Sequence, residues 1–299
     1  MAKKVLLLFN PKAGHGQHDE EDLLKMVNDA GYDCKTRSIK DDGWEKIPSS
    51  VDMLAVAGGD GTVSKVIKRI YHRKKDEPDW PLGVLPFGTA NNIATSIGAT
   101  APPEELVMQW AQGTTPFYLG QLAHATGNNP FCEMAGFGLF PQHLDDMQQY
   151  KGKELGPQDK LDAALRESVL SIDKLKPESF EIEGPGFSKN GNYITAIVMN
   201  TRYFGPGVSF APDADHEDRK LELVLFSDEQ RDELKQYYQC KVRGSESGLH
   251  PEIIRGSRFT IKTNAKRFHI EDEIFSVTAG EPFEFSSSPE PVRIMGTYR

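Results

Sequence analysis

Apolar residues in the first third of the chain come in short runs, and each run is followed by an amphipathic stretch. KVLLLFN, with its apolar part at Val5–Phe9, reads as a buried strand. DEEDLLKMVNDAG, Asp19–Gly31, then reads as a helix with acids in the first turn and Gly31 as its stop. Further strands are predicted at Asp33–Ile39, Asp52–Gly59 and Pro81–Gly88, with helices over Thr62–Lys75, Thr89–Gly98 and Glu104–Gly113. Strands that alternate with helices imply βαβ units and a mostly parallel sheet.

The pattern changes near Thr114. Strand-like stretches then follow one another: Pro116–Ala125, Pro130–Gly138, Ser179–Gly184, Tyr193–Asn200, Lys220–Phe226, Arg258–Thr263, Lys266–Glu271, Pro282–Ser287 and Pro291–Met295. TGNNP and SKNGN read as turns between them. The main helical interruption is Gly156–Leu175, where Leu161, Leu165, Val169 and Ile172 share a face. This half is expected to be a largely antiparallel second domain.

Composition narrows the function classes. A formal net charge of −9 argues against a nucleic-acid partner, because a phosphate backbone rewards a basic face. Cys34, Cys132 and Cys240 are far apart and form neither a metal-ligand spacing nor a disulfide framework, which suits a reducing compartment. The apolar part of MAKKVLLLFNPKAG is too short for a signal-peptide core, and no run is long enough to span a bilayer. A cytoplasmic protein, peripheral to a membrane at most, is the expectation. Lys65, Lys68, Arg69, Arg73, Lys74 and Lys75 read as a solvated helix end, which the dipole favours, in preference to a membrane-docking patch. His15 and His18 are a loop pair without further ligands.

The chemistry concentrates where strands meet helices. In an open parallel sheet, ligands bind beyond the carboxyl ends of the strands. Asn10–Gly16, NPKAGHG, offers the Asn10 amide, the Lys12 charge, and Gly14 and Gly16 for close backbone approach. Gly58, Gly59, Asp60, Gly61 and Thr62 free backbone N–H groups at the start of a helix, where an anion is favoured. Asp60 would repel a phosphate unless a cation lay between them, so it points to Mg²⁺ or a charge network. Pro86–Asn92, PFGTANN, repeats the arrangement with Gly88, Thr89, Ala90, Asn91 and Asn92. The spacing fits neither the Walker P-loop nor the dinucleotide fingerprint. By themselves, Glu271, Asp272 and Glu273 read as a solvated acidic turn between strands. The apolar set Phe131, Met134, Phe137, Phe140, Leu144 and Met147 reads as core, with an acyl-binding cleft as the alternative.

NPKAG, GGDGT and LPFGTANN resemble, in this order, the nucleotide-binding motifs of the diacylglycerol kinase catalytic family, which includes bacterial lipid kinases, sphingosine kinases and ceramide kinases. EMAGFG (Glu133–Gly138) and GPGVSFAPDADHEDRKLELVLF (Gly205–Phe226) extend the resemblance over nearly the whole chain. GGDGT also occurs in NAD kinases and resembles a phosphofructokinase motif. The resemblance implies an N-terminal parallel-sheet α/β nucleotide-binding domain (residues 1–118, joined by 288–299) and a C-terminal antiparallel β-sandwich domain (119–287). It implies ATP in the cleft between them, Mg²⁺ across the phosphates, and transfer of the γ-phosphate to a lipid hydroxyl at a membrane surface. Asn10, Lys12, Gly14, Gly58–Thr62 and Gly88–Asn92 would contact nucleotide, and Asp60 and Asp218 would serve the metal.

Family members carry Asp-Gly-Glu near the end of the second domain, its aspartate the general base. Here FHIEDEIF places Glu271 at the aspartate, Asp272 at the glycine and Glu273 in register. Asp60, Glu271 and Asp272 are therefore the expected catalytic acids, and a side chain at Asp272 is expected to bar a φ > 0 turn. Tyr118 and Asn92 stand where the family has acids, and Arg219 where it has a glycine. Rival readings are a soluble-substrate kinase like NAD kinase and a nucleotide-binding regulator. A homodimer stays open.

Overall fold

The structure, a computed structural model, describes residues 2–11, 19–124, 127–153, 155–278 and 280–296. The chain divides into two compact units, Met1–Tyr118 with Pro289–Arg299, and Leu119–Ser288.

In the first unit, β1 (Lys4–Phe9), β3 (Met53–Gly58) and β4 (Leu82–Pro86) are the parallel centre of a sheet, with β2 (Asp33–Ser38) beyond β1. Both faces of the central strands are covered, which is why they read as unbroken apolar runs rather than alternating ones. α1 (Glu20–Asp29) starts where the Asp19 carboxylate accepts the Asp22 N–H at 2.8 Å. α2 (Asp60–Tyr71), α3 (Asn92–Ser96) and α4 (Pro103–Gln109) are the further α-helices among the described residues of this unit. The last strand of the chain, β18 (Val292–Met295), lies between β4 and β5 (Thr114–Phe117), parallel to the first and antiparallel to the second. Of the basic run, Lys65, Lys74 and Lys75 are exposed as expected, whereas Arg69 and Arg73 are half-buried in ion pairs, Arg69 with Glu77 at 2.5 Å and Arg73 with Asp79 and Glu290, each at 3.4 Å.

The second unit is a sandwich of two antiparallel sheets. One is ordered β10 (Phe187–Tyr193), β9 (Glu178–Gly184), β14 (Arg258–Thr263), β17 (Phe283–Ser287), β6 (Gly120–His124), β7 (Gly127–Phe131). The other is ordered β13 (Glu252–Gly256), β12 (Leu221–Phe226), β11 (Thr195–Met199), β8 (Met134–Phe137), β15 (Arg267–Ile270), β16 (Glu273–Ser276). Their facing sides share a core that includes Phe131, Phe137, Phe180, Phe259, Phe268 and Phe283. The outer side of the second sheet, with Met134, Ile197 and Phe226, packs on α5 (Leu139–Met147), α6 (Pro157–Lys174) and α7 (Arg231–Val242).

The expected fold class, α/β plus an antiparallel β-sandwich, is the observed one. Several elements differ from the reading of the sequence. SKNGN lies inside β10, and the turn falls two residues earlier, at Pro185–Gly186 with Gly186 at φ 82°. TGNNP largely forms β7. Both strands are sheet edges, where one face stays in water and polar residues are tolerated. Pro130–Gly138 is not one strand: β7 ends in one sheet at Phe131, and β8 begins in the other at Met134. Of the apolar set, Phe131 and Phe137 fill the inter-sheet core and Met134 and Phe140 the core under the helices, so these four are packing residues, while Leu144 and Met147 on α5 are half-buried. No helix among the described residues is long and apolar enough to cross a membrane.

Candidate active site

β1, β3 and β4 are neighbours, so the segments leaving their carboxyl ends lie side by side. Main-chain bonds fix their spacing: the Asn10 N–H donates to Ala57 O at 3.1 Å and the Phe87 N–H to Gly58 O at 3.1 Å. Asn10 Nδ2 donates to Thr62 Oγ1 at 3.4 Å, joining the first segment to α2. The expected Lys12 and Gly14, with His15 and His18, lie outside the described residues.

The glycines of the second and third segments are there for contact. A Cβ on Gly88 would stand 2.3 Å from Gly59 Cα, so the two turns touch backbone to backbone. A Cβ on Gly58 would stand 2.7 Å from Thr62 Cβ, whereas one on Gly61 would meet nothing within 4 Å. The first turn of α2 is therefore open beside Gly61, with helix N–H groups and the positive dipole end at hand for an anion. Asn91 holds the third segment: at φ 54° its Oδ1 accepts the Gly88 N–H at 2.8 Å and its Nδ2 donates to Gly88 O at 3.0 Å. Thr89 is exposed and Ala90 half-buried beside it, while Asn92 is buried.

Asp60 is tied to this same segment. Its Oδ1 accepts the Ile93 N–H at 2.9 Å, and the N–H groups of Asn91 and Asn92 also bond to the carboxylate. Burial pushes its pKa up from the ordinary carboxylate value, against the pull of these amides. Asp60 thus stands at the head of α2 and caps the start of α3, locking two glycine turns together.

In the second unit, β15 and β16 form a hairpin with Ile270 opposite Glu273, so Glu271 and Asp272 are its two turn residues. The positive φ falls on Glu271, at 51°, not on Asp272 as the register of the resemblance suggested. The side chain of Glu271 turns back: Oε1 accepts the Cys132 N–H at 2.5 Å and approaches the Glu133 N–H at 3.4 Å, in the crossing from β7 to β8. Asp272 and Glu273 are exposed.

Two residues that the reading of the sequence passed over build this corner. Asn200, just past β11, grips the crossing, its N–H donating to Glu133 O at 2.8 Å and its Nδ2 to Cys132 O at 3.0 Å. His269 is fully buried and donates from Nδ1 to Glu271 O at 3.0 Å; burial pushes its pKa down to about 4, which keeps the ring neutral. Alternation along β15 puts His269 on a covered face. That was the available signal, though an imidazole in such a place is equally compatible with plain packing.

The donor set does not suit a protein-held Mg²⁺ at Asp60 or Asp218. Asp60 is committed to amides. Asp218 Oδ1 accepts the Lys220 N–H at 2.9 Å and its Oδ2 pairs with the guanidinium of Arg255. No group of three or more His, Cys, Asp or Glu placed to hold a metal occurs among the described residues. Arg219, where the resemblance expects glycine, takes the left-handed conformation a glycine would take, at φ 59°.

An α/β unit with clustered glycine turns and a β-sandwich unit is the fold, and sequence comparison says what each part resembles. The pattern described as the diacylglycerol kinase catalytic domain matches residues 4–122, and that of the YegS C-terminal NAD kinase beta sandwich-like domain matches residues 163–295. Taken together, the two matches liken the first part of the chain to a diacylglycerol kinase catalytic domain and the rest to the YegS sandwich-like domain. A Stenotrophomonas maltophilia (strain K279a) protein named "Probable lipid kinase YegS-like" is 28% identical over 228 residues, 73% of this chain and 72% of that one. One of the same name from Klebsiella pneumoniae (strain 342) is 27% identical over 239 residues, 75% of this chain and 74% of that one. The fold matches a crystal structure of a diacylglycerol kinase from Bacillus anthracis str. Sterne with a TM-score of 0.69 at 18% identity, covering 98% of this chain and 97% of that one.

Proposed function

We propose that the protein is an ATP-dependent lipid kinase that transfers the γ-phosphate to a hydroxyl of a diacylglycerol-like lipid. The observation that carries this is the side-by-side arrangement of Asn10, Gly58–Thr62 and Gly88–Asn92, locked by the Asp60 carboxylate at one edge of a parallel sheet. The open first turn of α2 offers backbone donors to phosphate oxygens, and the absence of a side chain at Gly61 lets a triphosphate approach. ATP enters as its magnesium complex, so the metal arrives with the substrate. The lipid hydroxyl oxygen bonds to the γ-phosphorus, the bond from that phosphorus to the bridging oxygen breaks, and ADP leaves. Glu271 takes the hydroxyl proton. Its unperturbed acidity is close to that of aspartate, and its backbone, held by His269 and by the Met134 carbonyl, defines where the longer side chain starts.

The test is transfer of labelled γ-phosphate to detergent-dispersed diacylglycerol, with water-soluble alcohols as control acceptors. Transfer confined to lipid supports the reading. Transfer to soluble acceptors alone contradicts it.

A further inference from the structure

Where α6 runs into β9, the second unit has a pocket of about 400 Å³, within the range of small-ligand sites. Cations reach it from stretches far apart in sequence: Lys174 and Lys176 at the end of α6, and Lys266 and Arg267 at the turn from β14 to β15. A chain of net charge −9 has to gather its cations to bind an anion, and here it does so.

The cations fall into two kinds. Lys174 is held by Asp146 at 2.8 Å and Glu167 at 3.8 Å, while Arg267 pairs with Asp145 and donates to Gln142 Oε1 at 3.2 Å. Lys176 and Lys266 enter no ion pair among the described residues, so their charge is uncommitted. Asn264 accepts the Ser179 N–H on Oδ1 at 2.7 Å, which leaves its NH₂ group as a donor. Glu178 is the acid in the lining, and burial pushes its pKa up, towards the neutral form.

We propose that this pocket binds a phosphate ester of headgroup size, with Lys176 and Lys266 as its counter-charges and the Asn264 amide as its oriented donor. Such a group comes from a bilayer phospholipid or from a free phosphorylated small molecule. Recognition is by point charges rather than by a bidentate fork, because the guanidinium of Arg267 is already engaged by Asp145. The proposal stands apart from the phosphotransfer reading, and its test needs no ATP.

The full chain is sedimented with phosphatidylcholine vesicles with and without phosphatidylglycerol. Its melting temperature is followed against inorganic phosphate and glycerol phosphate, with chloride as the salt control. Wild type is compared with K176E/K266E, and with K176Q/K266Q to separate lost charge from damage to the fold. Wild type is expected to bind anionic vesicles, to be stabilised by phosphate over chloride, or both. The variants should lose that response at an unchanged melting temperature in chloride, with vesicle affinity lower by about thirtyfold. A vesicle-only response names the bilayer headgroup as the source, and a soluble-only response names a free phosphate ester. A wild type that responds to neither, or variants that respond as wild type does, overturns the proposal. Phosphotransfer to detergent-dispersed lipid, measured separately, stays at the wild-type level in both variants. Its absence from wild type would sink the kinase reading and leave this one standing.

Discussion

Glu271 and Arg219 hold a backbone conformation that glycine adopts at little cost, at φ 51° and 59°. For an ordinary residue this strain is about 1–2 kcal/mol. Arg219→Gly is therefore expected to stabilise the protein by about 1 kcal/mol after the added freedom of the unfolded chain is counted, as read from urea denaturation. No gain, or a loss, would mean that the Arg219 side chain contributes more than its strain costs. Asp60 allows a sharper separation of roles. Asp60→Ala removes the cap on α3 and should cost about 1 kcal/mol of stability, while Asp60→Asn keeps an accepting oxygen and should cost only a few tenths. If both variants lose phosphotransfer while only the alanine loses stability, the charge itself serves the reaction. The motif GGDGT pointed to this aspartate, but not to the amides of the next loop as its partners. That contact joins residues more than thirty positions apart, and only the side-by-side strands bring it about. The register of FHIEDEIF likewise located the turn without fixing which residue takes the positive φ, because that depends on Ile270 pairing with Glu273.

Among elements, the parallel strands were legible because burial on both faces leaves an unbroken apolar run. The edge strands β7 and β10 were not, since a half-wet strand rich in Asn, Gly and Ser carries the signals of a turn. α7 was missed although its start is marked: Ser227 and Gln230 form a reciprocal capping box ahead of it. β18 makes the strongest claim about an element. It fills the gap between β4 and β5 with Val292 and Ile294 fully buried, and Arg293 donates to Asp79 at 2.8 Å. Each buried aliphatic side chain of this kind is worth about 1.5–3 kcal/mol, so two approach the stability of a small domain. A chain ending at Ser288 should lose the cooperative unfolding of its first unit in calorimetry. A truncated protein that melts like the full chain would show that β18 is dispensable to that sheet.

The whole molecule should be sensitive to acid. His143, His216 and His269 are buried in the second unit, and burial lowers each from its ordinary 6.5 to about 4. The folded state therefore keeps them neutral where the unfolded chain takes up protons. Their contribution is complete above about 6.5 and is lost as the pH falls towards 4, at about 2 kcal/mol per histidine at pH 5. Glu222 works the other way: burial and Asp213 push it up to about 7 against the pull of Lys220, and it offsets about one histidine's share, so the loss from the other two remains. The melting temperature should fall clearly between pH 7 and pH 5, and a flat profile would show that these rings reach water in the folded state. Fold class and the family resemblance were both readable from the motifs in their order. The Glu271 corner was only half readable, because Asn200 and His269 carry no motif and become visible through their partners.

The central claim, that Glu271 takes the proton from a lipid hydroxyl during transfer from ATP, is met most directly by one measurement. This is the rate of labelled γ-phosphate transfer to a panel of dispersed lipids by wild type and by Glu271→Gln at saturating ATP. The account predicts transfer to a lipid hydroxyl by wild type and a rate lower by about a hundredfold or more in the glutamine variant, with KM for ATP unchanged. Transfer to no lipid by a wild type that binds ATP, or an unchanged rate in Glu271→Gln, would contradict it.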